Sequence, residues 1–284
     1  MSTLGRSVVT RMSPVLRSLV FSRATKLLLG LIALLLVIAI AFSKRSTSNS
    51  RVESPDRVPS LVLWAWERPE QLEFIDTSKV GVAFLAQTIY LRGAKTVVRP
   101  RLQPLKLPND AALVAVTRIE SDRKERPELT TEQIEQTASA VSELAKLSKV
   151  VAVQIDFDAT LSERDFYRKF LFQIRRQLPA SIALSITALA SWCKGDNWLD
   201  DLPVDEAVPM LFRMGINENQ IRSQVMSGEP FSSVKCQKSL GLSTDEPMPG
   251  VRHSHRTYFF NPRSWTANSV NEVLKHHETQ TSIF

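Results

Sequence analysis

From Leu61 onward the chain alternates short apolar runs with amphipathic polar segments, and this alternation constrains the fold more than any other feature. The apolar runs are "LVLWAW" from Leu61, "VGVAFLAQ" from Val80, "ALVAVTRIE" from Ala112, "VVAVQIDFD" from Val150, "IALSITAL" from Ile182, "DEAVPMLF" from Asp205, "KSLGLS" from Lys238 and "TYFFN" from Thr257. Strands that alternate with helical segments argue for repeated βα units and a parallel sheet. Eight of them in one chain predict an α/β protein with a (β/α)8, TIM-like barrel, some of its helices short. An open doubly wound sheet is the alternative. Nucleotide-binding versions of that fold need glycine-rich turns, and the nine glycines (5, 30, 81, 93, 195, 215, 228, 241 and 250) are too dispersed to build G-x-G-x-x-G or a P-loop.

Three helices have legible starts. Thr130 to Leu147 opens "TTEQ", with Thr130 placed to cap and Gln133 at the capping-box position. Ser162 to Gln177 begins with polar residues and continues with aromatic and aliphatic residues on one face, and Thr266 to His277 closes the chain. The segment from Thr88 to Pro108, with Gly93 in it, reads as an inserted hairpin.

The formal charge of +7 suggests a nucleic-acid ligand until it is located. Arg6, Arg11, Arg17, Arg23, Lys26, Lys44 and Arg45 stand in the first 50 residues with no acid among them, and the remainder carries 29 basic and 29 acidic residues. The expected domain is thus neutral, and a nucleic-acid partner is not expected. Between those cations lies "LLLGLIALLLVIAIAF", Leu27 to Phe42, apolar throughout and extendable to Ser43. It reads as one N-terminal membrane helix, a little short of the roughly 18 to 20 residues a spanning helix prefers. The cations before it place the N-terminus in the cytoplasm and the rest across the inner membrane, in the periplasm or outside the cell. A cleaved signal peptide is the alternative, because Ala39 and Ala41 form an A-x-A-like site. The expected organisation is a basic leader over 1–26, a membrane or signal segment over 27–43, a polar tether over 44–57 and the barrel over 58–284. Cys193 and Cys236 fall on the exported side, where a disulfide is permitted; two buried thiols are the alternative.

The strand from Val150 carries the strongest functional signal. Val151, Val153, Ile155 and Phe157 form one apolar face, whereas Val150, Ala152, Gln154, Asp156 and Asp158 form a face that grows polar along the chain. The strand from Ala112 repeats this with Val114 and Val116 followed by Arg118 and Glu120. A barrel strand whose inner face runs from a filled core to a ligand site at the C-terminal rim shows this gradient. Asp156, Asp158, Glu120 and Glu67 are therefore the candidate catalytic carboxyls, because glycoside hydrolysis uses one carboxyl as acid and a second as nucleophile or base. Trp64, Trp66, Gln87, Arg118, Gln154, Trp192 and Arg213 are the candidate glycan contacts, the tryptophans as stacking surfaces. The bland alternative keeps the carboxyls as partners of Arg118 or Arg213 and the tryptophans as core.

The segments "LWAWERPE" at Leu63, "VGVAFLAQTI" at Val80, "QIDFDA" at Gln154, "SITALASWC" at Ser185 and "VDEAVPMLFRMG" at Val204 resemble a family of bacterial exported or membrane-anchored proteins of unknown function. A more distant likeness is to the chitinase-type glycosidases, whose fourth barrel strand ends D-G-x-D-x-D-x-E. Asp156 and Asp158 fall on the second and third acidic positions, but Val153 and Thr160 stand where the first and last belong. The likeness implies a barrel that acts on an envelope or extracellular polysaccharide. The departure at Thr160 implies either an acid from another loop or a barrel that binds glycan or assists envelope assembly without cleaving. No G-x-S-x-G or H-E-x-x-H occurs, and no cofactor or metal is expected. His253 and His255 in a basic loop read as surface rather than as ligands.

Overall fold

The computed structural model describes residues 57–251 and 256–281. The basic leader, the apolar run from Leu27, the tether up to Asp56, and His253 and His255 lie outside the described residues. The strands are β1 (Leu61–Ala65), β2 (Glu70–Gln71), β3 (Val80–Arg92), β4 (Lys95–Pro100), β5 (Leu105–Lys106), β6 (Leu113–Ser121), β7 (Val150–Asp156), β8 (Ala183–Leu189), β9 (Glu206–Met210), β10 (Ser239–Ser243) and β11 (Arg256–Phe260). The helices are α1 (Thr131–Leu144), α2 (Arg164–Gln177), α3 (Glu218–Met226) and α4 (Ala267–Thr281). Among the described residues no helix is long and apolar enough to cross a membrane.

Eight strands close into a parallel barrel in the order β1, β3, β6, β7, β8, β9, β10, β11, with β11 returning to β1. These are the eight apolar runs of the sequence. The α/β class and TIM-like architecture hold, with four described helices, one of which, α3, the sequence reading did not place. The capping box at Thr130 forms as its spacing implies: the Gln133 amide donates to Thr130 Oγ1 at 3.2 Å, and Thr130 N–H donates back to Gln133 Oε1 at 3.2 Å.

Alternation sorts the strand residues into two cores. Outward residues such as Val153, Ile155 and Phe157 pack with Phe166, Tyr167, Phe170 and Ile174 from α2. Inward residues Val62, Trp64, Ala83, Leu85, Val114, Val116, Ala152, Val208, Tyr258 and Phe260 fill the barrel. Gly241 lets the strands approach closely here, because a Cβ on it would lie a tight 3.3 Å from the Phe260 ring and 3.3 Å from the Pro209 carbonyl. At the N-terminal face Glu206 accepts from Arg256 at 2.8 Å and from the Tyr258 hydroxyl at 2.6 Å, while Arg256 also donates to the Val58 carbonyl. This buried ion pair closes the face at which the chain enters.

Two bulges shift faces that strict alternation assigns. Leu113 pairs with Val150 but Val114 pairs with Ala152. Val151 is thereby turned toward the barrel interior, and Val150 joins the outer core. On β3 the register shifts between Leu85 and Gln87, so Ala86 and Gln87 both face outward.

Beyond the second bulge, β3 and β6 continue past the barrel to Arg92 and Ser121, and β4 pairs antiparallel with this extension. The inserted hairpin is present, turning at Gly93, whose φ of +48° suits glycine. Cys193 and Cys236 form a disulfide with their Cα atoms 5.8 Å apart, joining the loop after β8 to the turn before β10.

Candidate functional site

Arg118, on the inner face near the end of β6, lies beside Asp156, the last residue of β7, and the two pair in register. Asp156 is 5% exposed. One of its oxygens accepts from Arg118 Nη1 at 2.9 Å and the other from the Thr187 hydroxyl on β8 at 2.8 Å. Arg118 Nε also donates to Glu120 at 2.9 Å. Burial opposes the charge of Arg118, but Asp156, Glu120 and Asp158 outweigh it and raise the guanidinium's pKa above its ordinary value.

Asp158, two residues beyond Asp156, is exposed at the rim, and no ion pair or hydrogen bond ties its side chain to another described residue. Although the residue meets solvent, partial burial of its carboxyl between the cleft walls raises its pKa, the neighbouring charge of Asp156 raises it further, and Arg118 only partly opposes them. Behind the pair, on α2, the fully buried Tyr167 has no hydrogen-bond partner among the described residues. Burial first, then Asp156 and Asp158, push its hydroxyl well above the ordinary tyrosine value.

Arg118, Glu120, Asp156 and Asp158 line a cleft of about 800 Å³ at the C-terminal rim. One side is the loop after β6, which contributes Asp122, Arg123 and Arg126, and the other is the loop after β7, which contributes Asp158, Thr160, Ser162 and Glu163. Thr160 stands beside a glutamate of the same loop. Glu163 accepts from both the Thr160 N–H and the Thr160 hydroxyl at 2.7 Å. The first loop is fixed in place. The Asp122 side chain accepts from the Lys124 and Glu125 N–H groups and pairs with Arg92 at 3.1 Å, and the Gly93 turn exchanges backbone bonds with Glu125 and Glu128.

A second cleft, of about 330 Å³, lies over the ends of β1, β9, β10 and β11 and is lined by Trp66, Glu67, Arg68, Phe212, Arg213, Ser243, Phe260, Asn261 and Pro262. Glu67 pairs there with Arg99 at 3.3 Å, and Arg213 faces Asp245 at 3.6 Å and Glu246 at 3.7 Å. The predicted residues therefore divide. Arg118, Glu120, Asp156 and Asp158 share the larger cleft, whereas Trp66, Glu67 and Arg213 line the smaller. Glu67 does not join the aspartates, because β3 stands between β1 and β6.

The other four candidates are not at either cleft. Trp64 is fully buried in the barrel, stacked on Phe260 at 4.4 Å, and offers no face to a sugar. Gln154 is buried one layer below Asp156 and donates to Ser185 at 2.8 Å. Gln87 is turned outward by the β3 bulge and donates to Thr117 Oγ1 and to the Ala140 carbonyl of α1. Trp192 is 5% exposed in the outer core, its ring edge-on to Trp198 at 5.0 Å. Arg164 covers both rings.

The sequence reading missed Arg123, Arg126 and Glu163. The first two sit in a polar stretch, "SDRKERPE", whose alternating charges resemble any solvated loop, and only the extension of β3 and β6 brings it over the barrel mouth. Among the described residues no three His, Cys, Asp or Glu side chains gather into a group suited to a metal ion.

Residues 109–208 match a family described as "Domain of unknown function (DUF3142)". The match runs from just before β6 into β9 and takes in Arg118, Glu120, Asp156, Asp158 and Thr187. No curated protein and no solved structure matches the chain significantly. The DUF3142 match agrees with the expected likeness to proteins of unknown function, and no similarity to a glycosidase accompanies it.

Proposed function

We propose that this barrel acts on an envelope or extracellular polysaccharide as a glycoside hydrolase, in the cleft over β6 and β7. The observation that carries the reading is the unequal state of two neighbouring carboxyls. Asp156 is held by Arg118 and Thr187, whereas Asp158 is uncommitted with a raised pKa. Environments that separate two carboxyls in this way divide the acid from the charge-stabilising role. In this reading Asp158 protonates the glycosidic oxygen as the C–O bond breaks, and Asp156 faces the positive charge that develops at the anomeric carbon. Water then adds to that carbon and returns a proton to Asp158. Glu120 shares the guanidinium of Arg118 and serves as a positioning residue.

The half-buried Trp66 and Phe212 give the smaller cleft an aromatic surface suited to stacking a further sugar ring. The apolar segment from Leu27 and the tether to Arg57 would hold the domain outside the inner membrane.

A second reading is a glycan-binding protein without catalysis, favoured by the ion pairs that occupy Glu120 and Glu67. The test incubates the full-length chain and its Asp158→Asn variant with peptidoglycan fragments, chitooligosaccharides and bacterial exopolysaccharides, with products read by mass spectrometry and retention by affinity electrophoresis. Cleavage by the parent and retention without cleavage by the variant is the expected result. Retention by both with no cleavage by either would replace the hydrolase with the binding protein. Neither retention nor cleavage would remove the polysaccharide altogether.

A further inference from the structure

The inner face of the sheet extension formed by β3, β4 and β6 joins the two clefts, and strand register fixes which side chains lie on it. Arg118 and Glu120 on β6 stand beside Thr88 and Tyr90 on β3, which stand opposite Arg99 and Val97 on β4. Side chains paired in register share one face of a sheet, so Glu120, Tyr90 and Val97 form one row and Arg118, Thr88 and Arg99 the row beneath it. The β6 end of both rows lines the larger cleft. At the β4 end Arg99 pairs with Glu67 of the smaller cleft at 3.3 Å. Two strand spacings, about 10 Å, separate these ends. The upper row is not core. Val97 is 43% exposed and Tyr90 half-buried, whereas Ile89 and Leu91, on the opposite face of β3, are fully buried in the outer core. The Arg92 guanidinium, paired with Asp122, lies over the Tyr90 ring at 5.3 Å and restricts its rotation.

We propose that the two clefts are the ends of one binding track along this face, and that its ligand is a long polysaccharide chain that occupies both at once, with Tyr90 and Val97 as the contact between them. This rests on the glycan reading above and deepens it, because chain length becomes the property that the protein selects. Continuity argues for that occupant. A surface that runs from a polar cleft across a Tyr–Val patch to an aromatic cleft matches the hydroxyl edges and apolar ring faces that a sugar chain presents along its length. A chain held in one cleft reaches the other without a second association from solution, so affinity rises steeply once the chain is long enough to bridge them.

The test uses the full-length chain carrying Asp158→Asn, so that no ligand is cut. It compares the binding of chitobiose with that of chitooctaose, and of a peptidoglycan disaccharide with that of long peptidoglycan glycan strands. Tyr90→Ala/Val97→Ser removes the contact between the clefts, and Val98→Ser, on the same strand, 42% exposed and on the opposite face, is the control. The long member of at least one pair should bind about tenfold or more tightly than the short one, and the double variant should lose about that much of the long ligand's affinity. Its affinity for the short ligand should be unchanged, which also shows that it is folded, and Val98→Ser should alter neither. Trp66→Ala, at the other end of the track, should likewise weaken only the long ligand, and it decides the matter if the double variant does not fold. Equal affinity for short and long members would overturn the track and leave the glycan reading standing, as would a long ligand whose binding neither the double variant nor Trp66→Ala weakens. No binding at either length would overturn both.

Discussion

Asp158 stands at the cleft with no ion pair or side-chain hydrogen bond to another described residue, and the acid role proposed for it sets the direction of two pH dependences. Its pKa in the folded protein stands above its ordinary value, so the folded state keeps the proton to higher pH than the unfolded chain does. That contribution is fully present below the unfolded value of 3.8 and is lost as pH rises through the folded pKa. An asparagine never takes the charge. Asp158→Asn should therefore be more stable than the parent at neutral pH, with the difference closing in acid, as read from urea midpoints across a pH series. For the proposed cleavage the sign is the same and the consequence opposite: the parent's rate should fall as pH rises through that pKa, whereas the variant, which lacks the acid, should not cleave at any pH. Asp156 behaves differently because its two oxygens are occupied. Arg118→Met leaves one of them buried without its donor and should cost about 1 to 3 kcal/mol, measured by chemical unfolding. If Arg118→Met unfolds at the parent's midpoint, the guanidinium does not hold Asp156 in place.

At the scale of elements, the cleft exists because β3 and β6 outrun the barrel and carry the β3–β4 turn up to the loop after β6. A Cβ on Gly93 would come within 2.9 Å of Glu125 Oε1, and the residue's positive φ adds strain to any side chain there. Gly93→Ala should destabilise by about 1 kcal/mol or more and weaken glycan binding without altering any residue that lines the cleft. An unchanged affinity would mean that the loop is held by other contacts. The disulfide acts on the far side of the barrel. Its 43-residue separation gives a chain-entropy contribution of about 4 kcal/mol. Reduction should lower the thermal midpoint without abolishing binding, because neither cysteine lines a cleft.

The same elements show where the sequence was legible and where it was not. Apolar runs bounded by turns and caps are local features, and they marked all eight barrel strands. Facing is also local until a bulge intervenes. The inserted residue at Ala86 carried Gln87 from the predicted mouth to the helix side, and the one at Val151 exchanged two valines between cores. Arg118 and Asp156 were readable because their strands are neighbours with polar upper ends. Trp64 and Trp192 were not, because an indole near a strand end looks the same whether it crowns the interior, as Trp64 does on Phe260, or is covered by Arg164. Glu67 was misplaced for a nonlocal reason, since only the closure order puts β3 between it and the aspartates.

For the whole molecule, the barrel presents two clefts at one rim, a polar one over β6 and β7 and an aromatic one over β1 and β9 to β11. The N-terminal face is shut by Glu206, Arg256 and Tyr258, and the interior is filled by Trp64, Phe260 and the valines, so the barrel interior has no room for a ligand and the rim carries both clefts. The most direct measurement is hydrogen exchange of the full-length chain with and without a saturating amount of a polysaccharide that it retains. Protection is expected in peptides spanning 118–129 and 156–163, with any protection near Trp66 and Phe212 secondary to it. Protection confined to the Trp66, Phe212 and Asn261 side, with 118–129 and 156–163 exchanging as in the free protein, would contradict it.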